Sequence, residues 1–85
     1  MYFVYVLKSL VDGNIYTGFT SDLKLRYREH LNGLVKSTKN RRPLKLVYYE
    51  AFLSKLDAER REKYLKSGGK GKNSLKLQIK ESLGL

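Results

Sequence analysis

The 85-residue chain contains no cysteine, and that absence removes disulfide staples, thiolate zinc sites and cysteine nucleophiles together. The fold must hold by packing alone, which is compatible with a reducing cytoplasm, the expected location. Proline and histidine each occur once. Acidic residues are scarce: 8 Asp plus Glu stand against 18 Lys plus Arg, for a formal net charge of +10 at pH 7. Long apolar runs are also missing. The stretch from Tyr2 to Leu7 has no basic segment ahead of it and is followed by Lys8, so it reads as neither a signal peptide nor a membrane span. At this length one compact domain over residues 1–85 is expected, with a small core and no second domain.

What is present is 41% hydrophobic and 31% charged, the composition of a globular chain rather than a disordered one. A cationic excess of this density draws polyanions toward it, so nucleic acid is the expected partner and a membrane is not. The competing reading is that the lysines only keep the protein soluble.

Tyr2 to Leu7 is an unbroken aromatic and aliphatic run with β-branched Val4 and Val6, which suits a buried strand. Asp12-Gly13-Asn14 turns the chain, and Ile15 to Phe19 is again rich in strand formers, so residues 2–19 read as an antiparallel hairpin. Thr20 or Ser21 is placed to cap a helix over about residues 22–32, in which Leu23, Tyr27 and Leu31 recur every four residues and Asn32-Gly33 offers a stop. Residues 34–43 form a basic loop without an acid, closed by Pro43, and Leu44 to Glu50 resumes strand character. Ser54 and Asp57 resemble a capping box opening a second helix over about 55–67, which Gly68-Gly69 ends. Lys70 to Asn73 reads as a short cationic linker, followed by a terminal amphipathic helix marked by Leu75, Ile79 and Leu83. The order β-β-α-β-α-α implies an α+β fold, a three-stranded antiparallel sheet flanked by helices.

Hydrolysing a phosphodiester requires a group that orients or deprotonates water, a cation for the phosphate and a carboxylate for a divalent metal. Tyr5 and Tyr16 lie on the two arms of the hairpin. Arg26 and His30, four residues apart, share a face of the first helix. Glu62 follows Ala58 by four residues and precedes Leu65 by three, so its carboxylate shares an apolar stripe and leans inward. Each has a structural alternative: a strand tyrosine packs its ring, Arg26 is a solvated charge, His30 is an ordinary half-buried side chain, and Glu62 pairs with Lys66.

Taken together these residues resemble the GIY-YIG nuclease family in its small stand-alone form, similar to the catalytic domains of UvrC and of phage-type homing endonucleases. Val4-Tyr5-Val6 matches the first motif with both flanking residues changed, and Tyr16-Thr17-Gly18 matches the second with Thr in the middle place. Asp22 to Arg26, then His30, is similar to the helix that carries the family's arginine and its histidine or tyrosine. Ala58 to Glu62, then Leu65-Lys66, is similar to the segment whose last acid binds the metal. The resemblance implies an endonuclease that uses Mg²⁺ or Mn²⁺ held by Glu62. Tyr16 or Tyr5 would position the attacking water, and Arg26 would stabilise the scissile phosphate. Some relatives carry a lysine three residues after the second-motif tyrosine; here that place is Phe19, and His30 is the expected relay in its stead. Asn73 is an approximate counterpart of a family asparagine that helps close the site; its competing reading is a turn residue.

Lys36, Lys39, Arg41, Arg42 and Lys45, with Lys66, Lys70, Lys72, Lys76 and Lys80, are expected to contact phosphates, which fixes register without reading bases. No base-reading element is recognisable, so weakly or structure-selective cleavage is expected, on DNA ahead of RNA, with recruitment by another protein or a homodimer left open. The runner-up reading is a basic nucleic-acid-binding module on the same fold without the chemistry.

Overall fold

The computed structural model describes residues 1–84; of the domain expected over 1–85, only Leu85 lies outside the described residues. Its elements are β1 (Tyr2–Ser9), β2 (Ile15–Thr20), α1 (Leu23–Leu31), a 3-10 turn (Lys39–Arg41), β3 (Leu44–Phe52), α2 (Lys55–Lys66) and α3 (Lys70–Gln78). The expected α+β order is observed.

β1 is the middle strand of a sheet ordered β2-β1-β3, antiparallel to both neighbours. Both of its faces are covered, so Val4 to Leu7 are all buried, and the strand reads as a continuous apolar run instead of an alternation. Val4 and Val6 pack with Ala58 and Leu65 of α2 and with Leu75, Ile79 and Leu83. Tyr5 and Leu7 face the other way, into a smaller cluster with Leu44, Leu23 and Tyr27. An irregularity in the β1–β3 register falls between Val6 and Leu7, beside Tyr5.

α2 is fixed to the sheet by an ion pair. Arg61 Nη2 lies 2.9 Å from Glu50 Oε2 on β3, its Nε donates to both oxygens of the same carboxylate, and the Tyr48 hydroxyl donates to Oε2 at 2.6 Å. Burial pushes the Glu50 carboxyl up, but the hydrogen bonds from Arg61 and Tyr48 prevail and hold it below its ordinary value. Arg61 thus clamps the helix one residue before Glu62.

Three details differ from expectation. The cap of α1 is Asp22, whose carboxylate accepts the Leu25 N–H at 3.0 Å, while Thr20 Oγ1 accepts the Asp22 N–H at 3.1 Å. An aspartate there satisfies an orphan donor and also complements the helix dipole, which a hydroxyl does not. The cationic linker is helical: α3 starts at Lys70, because Gly68 and Gly69 take φ of 73° and 62° and reverse the chain within two residues. At Gly71 a Cβ would collide with the Tyr64 carbonyl, so glycine lets α3 lie directly on α2. Finally, α3 stops at Gln78; Ile79 and Leu83 are buried as expected but reach the core from turns, where Lys8 Nζ donates to the Leu83 carbonyl at 2.7 Å. Among the described residues no helix is long and apolar enough to cross a membrane.

Candidate active site

In the hairpin register Tyr5 stands opposite Gly18. A Cβ at Gly18 would collide with the Tyr5 phenol, so the glycine is required for space, not for an unusual backbone angle. It lets the Tyr5 ring lie across β2. Gly18→Ala is accordingly expected to cost about 1–3 kcal/mol in urea unfolding, the usual penalty for overpacking a closed site. A variant within about 0.5 kcal/mol of the parent would show that the phenol moves aside freely.

The Tyr5 hydroxyl lies 2.8 Å from His30 Nε2, and His30 Nδ1 lies 2.7 Å from Thr38 Oγ1. His30 and Thr38 are wholly buried and Tyr5 is 1% exposed. Burial, with the nearby Arg26 charge adding to it, pushes His30 down to about 4, so the ring is neutral at pH 7 and carries one proton. Among the described residues the hydrogen-bond partner of the buried Tyr5 hydroxyl is Nε2, so the phenol's proton goes to it, and Nδ1–H is left to donate to Thr38. Burial also holds the Tyr5 proton tightly, pushing the phenol up to about 12; Arg26 opposes this, while Tyr16 and Glu62 add to it. Tyr5 therefore keeps its proton across the working range.

His30 is neutral, as the sequence suggests, but its position differs from that of a relay for Tyr16. Both ring nitrogens are committed to Tyr5 and Thr38, and the Tyr16 ring meets the imidazole only edge-on, at 5.3 Å between centroids. His30 is the brace behind Tyr5.

The remaining groups gather at the β2 edge. Arg26 Nη1 lies 3.2 Å from Glu29 Oε1, and contacts with Tyr5 and Glu29 hold its charge against the cost of burial. The Tyr16 hydroxyl is 3.5 Å from Ser37 Oγ, on the loop that also carries Thr38. Lys66 Nζ lies 5.5 Å above the Tyr16 ring centroid and 3.2 Å from Glu62 Oε2. A chain of contacts links the groups: Tyr5 to His30, His30 to Tyr16, and Tyr16 through Lys66 to Glu62. Of the five sequence-predicted groups, Tyr5, His30, Tyr16 and Glu62 lie along it, and Arg26 lines a neighbouring cavity with Ser37, the partner of the Tyr16 hydroxyl.

The basic residues divide. Lys36, Lys39 and Lys70 are exposed. Lys72 lines a cavity with Tyr16, Thr17 and Lys66. Arg41, in contrast, is paired with Asp12 at 3.4 Å, and Arg42 donates to the Lys39 carbonyl at 3.0 Å and lies against Gly33. Those two hold the loop in shape. Asn73 sits exposed on α3 and lines a separate cavity with Tyr64, Lys70 and Leu77, not the one around Glu62. Sequence reasoning missed Thr38, Gly18 as a spacer, and the inward fold of Lys66. The only signal for Thr38 is a hydroxyl in an otherwise cationic loop, and its partner is eight residues away.

Glu62 is the metal ligand that the sequence leads one to expect. It lines a surface cavity with Phe19, Glu59, Lys63, Lys66 and Ser67, and its side chain is 23% exposed. Among the described residues no three His, Cys, Asp or Glu side chains form a cage. One accessible carboxylate, with a second acid on the same cavity wall, fits a hard cation that keeps water and takes phosphate oxygens as its other ligands.

The chain is 46% identical over 67 residues to a UPF0213 protein of Clostridium perfringens, covering 78% of this chain and 71% of that one. It is 37% identical over 78 residues to a UPF0213 protein of Bacillus pumilus, covering 91% and 79%. The solution NMR structure of a UPF0213 protein from Bacillus halodurans is similar with a TM-score of 0.58 at 36% identity, over 94% of this chain and 86% of that one. Residues 1–75 match the GIY-YIG catalytic domain, and the chain, with its two hairpin tyrosines and its helix-borne arginine and glutamate around one edge strand, belongs to that family.

Proposed function

We propose that this protein is an endonuclease that hydrolyses phosphodiester bonds in DNA by a single in-line attack, with Mg²⁺ or Mn²⁺ as cofactor. The observation that carries the reading is the chain of contacts from Tyr5 through His30, Tyr16 and Lys66 to Glu62, with Arg26 in a cavity beside Ser37, the partner of the Tyr16 hydroxyl, on a strongly cationic chain. Phosphate binding alone has no use for a carboxylate there.

The two phenols divide the work. Tyr5 keeps its proton, directed at His30, and Glu29 holds the guanidinium of Arg26 at 3.2 Å. The N–H groups of Arg26 not used by Glu29 are available to bind the non-bridging phosphate oxygens and to stabilise the charge that builds on them. Tyr16 is the half-buried phenol that reaches solvent at the site, so it orients the attacking water and, in its ionised form, takes its proton. The new P–O bond forms as the bridging P–O bond opposite it breaks, and the departing oxygen is reprotonated from solvent. Glu62 would hold the divalent cation, which supplies Lewis-acid stabilisation of the phosphate when bound. Exposed Lys36, Lys39 and Lys70 hold the strand by its backbone.

The test is cleavage of supercoiled plasmid and of branched and single-stranded DNA with Mg²⁺, with Mn²⁺ and with EDTA. Nicking that EDTA abolishes is expected. DNA retarded in a gel but left intact under every metal condition would make the protein a binding module instead.

A further inference from the structure

Lys66 reads in the sequence as a phosphate contact or as half of an ordinary helix pair with Glu62. The structure shows it doing more than either. Its ammonium sits 3.2 Å from Glu62 Oε2 and 5.5 Å from the Tyr16 ring centroid, so one cation spans two groups of the site from two elements. The side chain is still 47% exposed, so nothing in the packing forces it into that place. β2 supplies no cation there: Phe19 stacks on Tyr2 with centroids 6.2 Å apart and lines the same cavity as Glu62 and Lys66. The cations beside Tyr16 come from the helices, Lys66 of α2 over the ring and Lys72 of α3 on the wall of the cavity that Tyr16 lines.

We propose that Lys66 is a positioning residue: the internal counter-ion of Glu62, which holds that carboxylate beside Tyr16 until a divalent cation takes it and then remains over the Tyr16 ring. The assignment rests on the nuclease reading for its role in turnover, but not for the competition at Glu62. A half-exposed, single-contact ion pair is weak, so a doubly charged ion displaces the ammonium readily, yet the two cations do compete for one carboxylate. Lys66 therefore weakens metal binding while assisting turnover. Neither a phosphate contact nor a structural helix pair produces effects of opposite sign.

The experiment is Mn²⁺ titration of the metal-free protein without DNA, followed by proton relaxation, for wild type, Lys66→Met, Lys66→Arg and Glu62→Gln, with kcat and KM for DNA cleavage measured beside it. Lys66→Met is expected to bind Mn²⁺ about fivefold more tightly, the size of one exposed ion pair. Its kcat is expected to fall about tenfold with KM within twofold. Lys66→Arg, which keeps the cation, should restore both, and Glu62→Gln should lose the Mn²⁺ site. Unchanged or weaker Mn²⁺ binding in Lys66→Met overturns the assignment, as does an activity loss confined to KM, which would mark a phosphate contact. Wild-type protein that cleaves, with Lys66→Met equal to it in both measurements, defeats the counter-ion and leaves the nuclease standing. Protein that binds Mn²⁺ through Glu62, more tightly in Lys66→Met, yet cleaves nothing, defeats the nuclease and leaves the counter-ion.

Discussion

Alanine at Glu62 or at Arg26 is expected to slow DNA cleavage by at least about 10²-fold, with gel-shift affinity changed only a few-fold. The two side chains fail differently. Glu62 is half of a solvent-accessible ion pair, so its removal leaves no buried charge and the fold should tolerate it; what is lost is the oxygen donor proposed for the metal. Arg26 is held by Glu29 in a cavity that Ser37 also lines, and its loss removes the guanidinium proposed to bind the phosphate. Single-turnover rates at saturating DNA separate these effects from binding. The tyrosines sharpen the test. Tyr16→Phe should lose activity on the same scale without loss of stability, because among the described residues its hydroxyl has only a long contact with Ser37. Tyr5→Phe should instead cost about 1–3 kcal/mol of stability, since it strands the buried Nε2 of His30. Equal rates in Glu62→Ala and wild type would place the chemistry elsewhere.

Some of this arrangement was legible in the sequence and some was not, for physical reasons. The hairpin, the face of α1 and the stripe Ala58, Glu62, Leu65 follow from local periodicity, and so does the arrival of each site residue on its element. The unbroken apolar run of β1 announced a strand covered on both faces. Thr38 was not legible: it lies in a loop whose residues look solvated, and its burial depends on Ser9 Oγ donating to the Arg41 carbonyl at 2.7 Å and the Leu10 N–H donating to the Pro43 carbonyl at 2.9 Å. Those contacts span 32 and 33 positions, beyond any window. Lys66 is ambiguous in principle, because an i,i+4 Glu–Lys pair looks the same on a bare helix and beside a tyrosine from another strand. The linker reading of Lys70 to Asn73 misled because Lys-Gly-Lys-Asn has linker composition, whereas α3 is stabilised there by docking on α2 across Gly71.

The second large effect is on stability, and it runs with pH through His30. The folded-state value is about 4 against an ordinary 6.5, so between these limits the unfolded chain binds a proton that the folded chain refuses. Unfolding is then favoured as protons are added: the full contribution is present above about pH 6.5 and is lost as the pH falls through about 4. At about 1.4 kcal/mol per unit, the loss approaches about 3 kcal/mol, a large share of what a domain of this size has. The carboxylates held below their ordinary values, Glu50 and Asp12, act in the same direction, but their window lies at the acid end of this range. Urea midpoints between pH 7.5 and 5 therefore report mainly on the imidazole. His30→Gln offers an acceptor toward Tyr5 and a donor toward Thr38 and does not titrate, so its stability should be lower at pH 7.5 and nearly flat down to pH 5. Parallel curves for the two proteins would mean that the ring takes up its proton without unfolding. The same neutrality bears on catalysis. With no proton to gain or give near pH 7, His30 should leave no inflection of its own in the cleavage rate between pH 6 and 9. Its substitution should act instead through the placement of Tyr5 and Arg26, lowering the rate by a similar factor at every pH in that range.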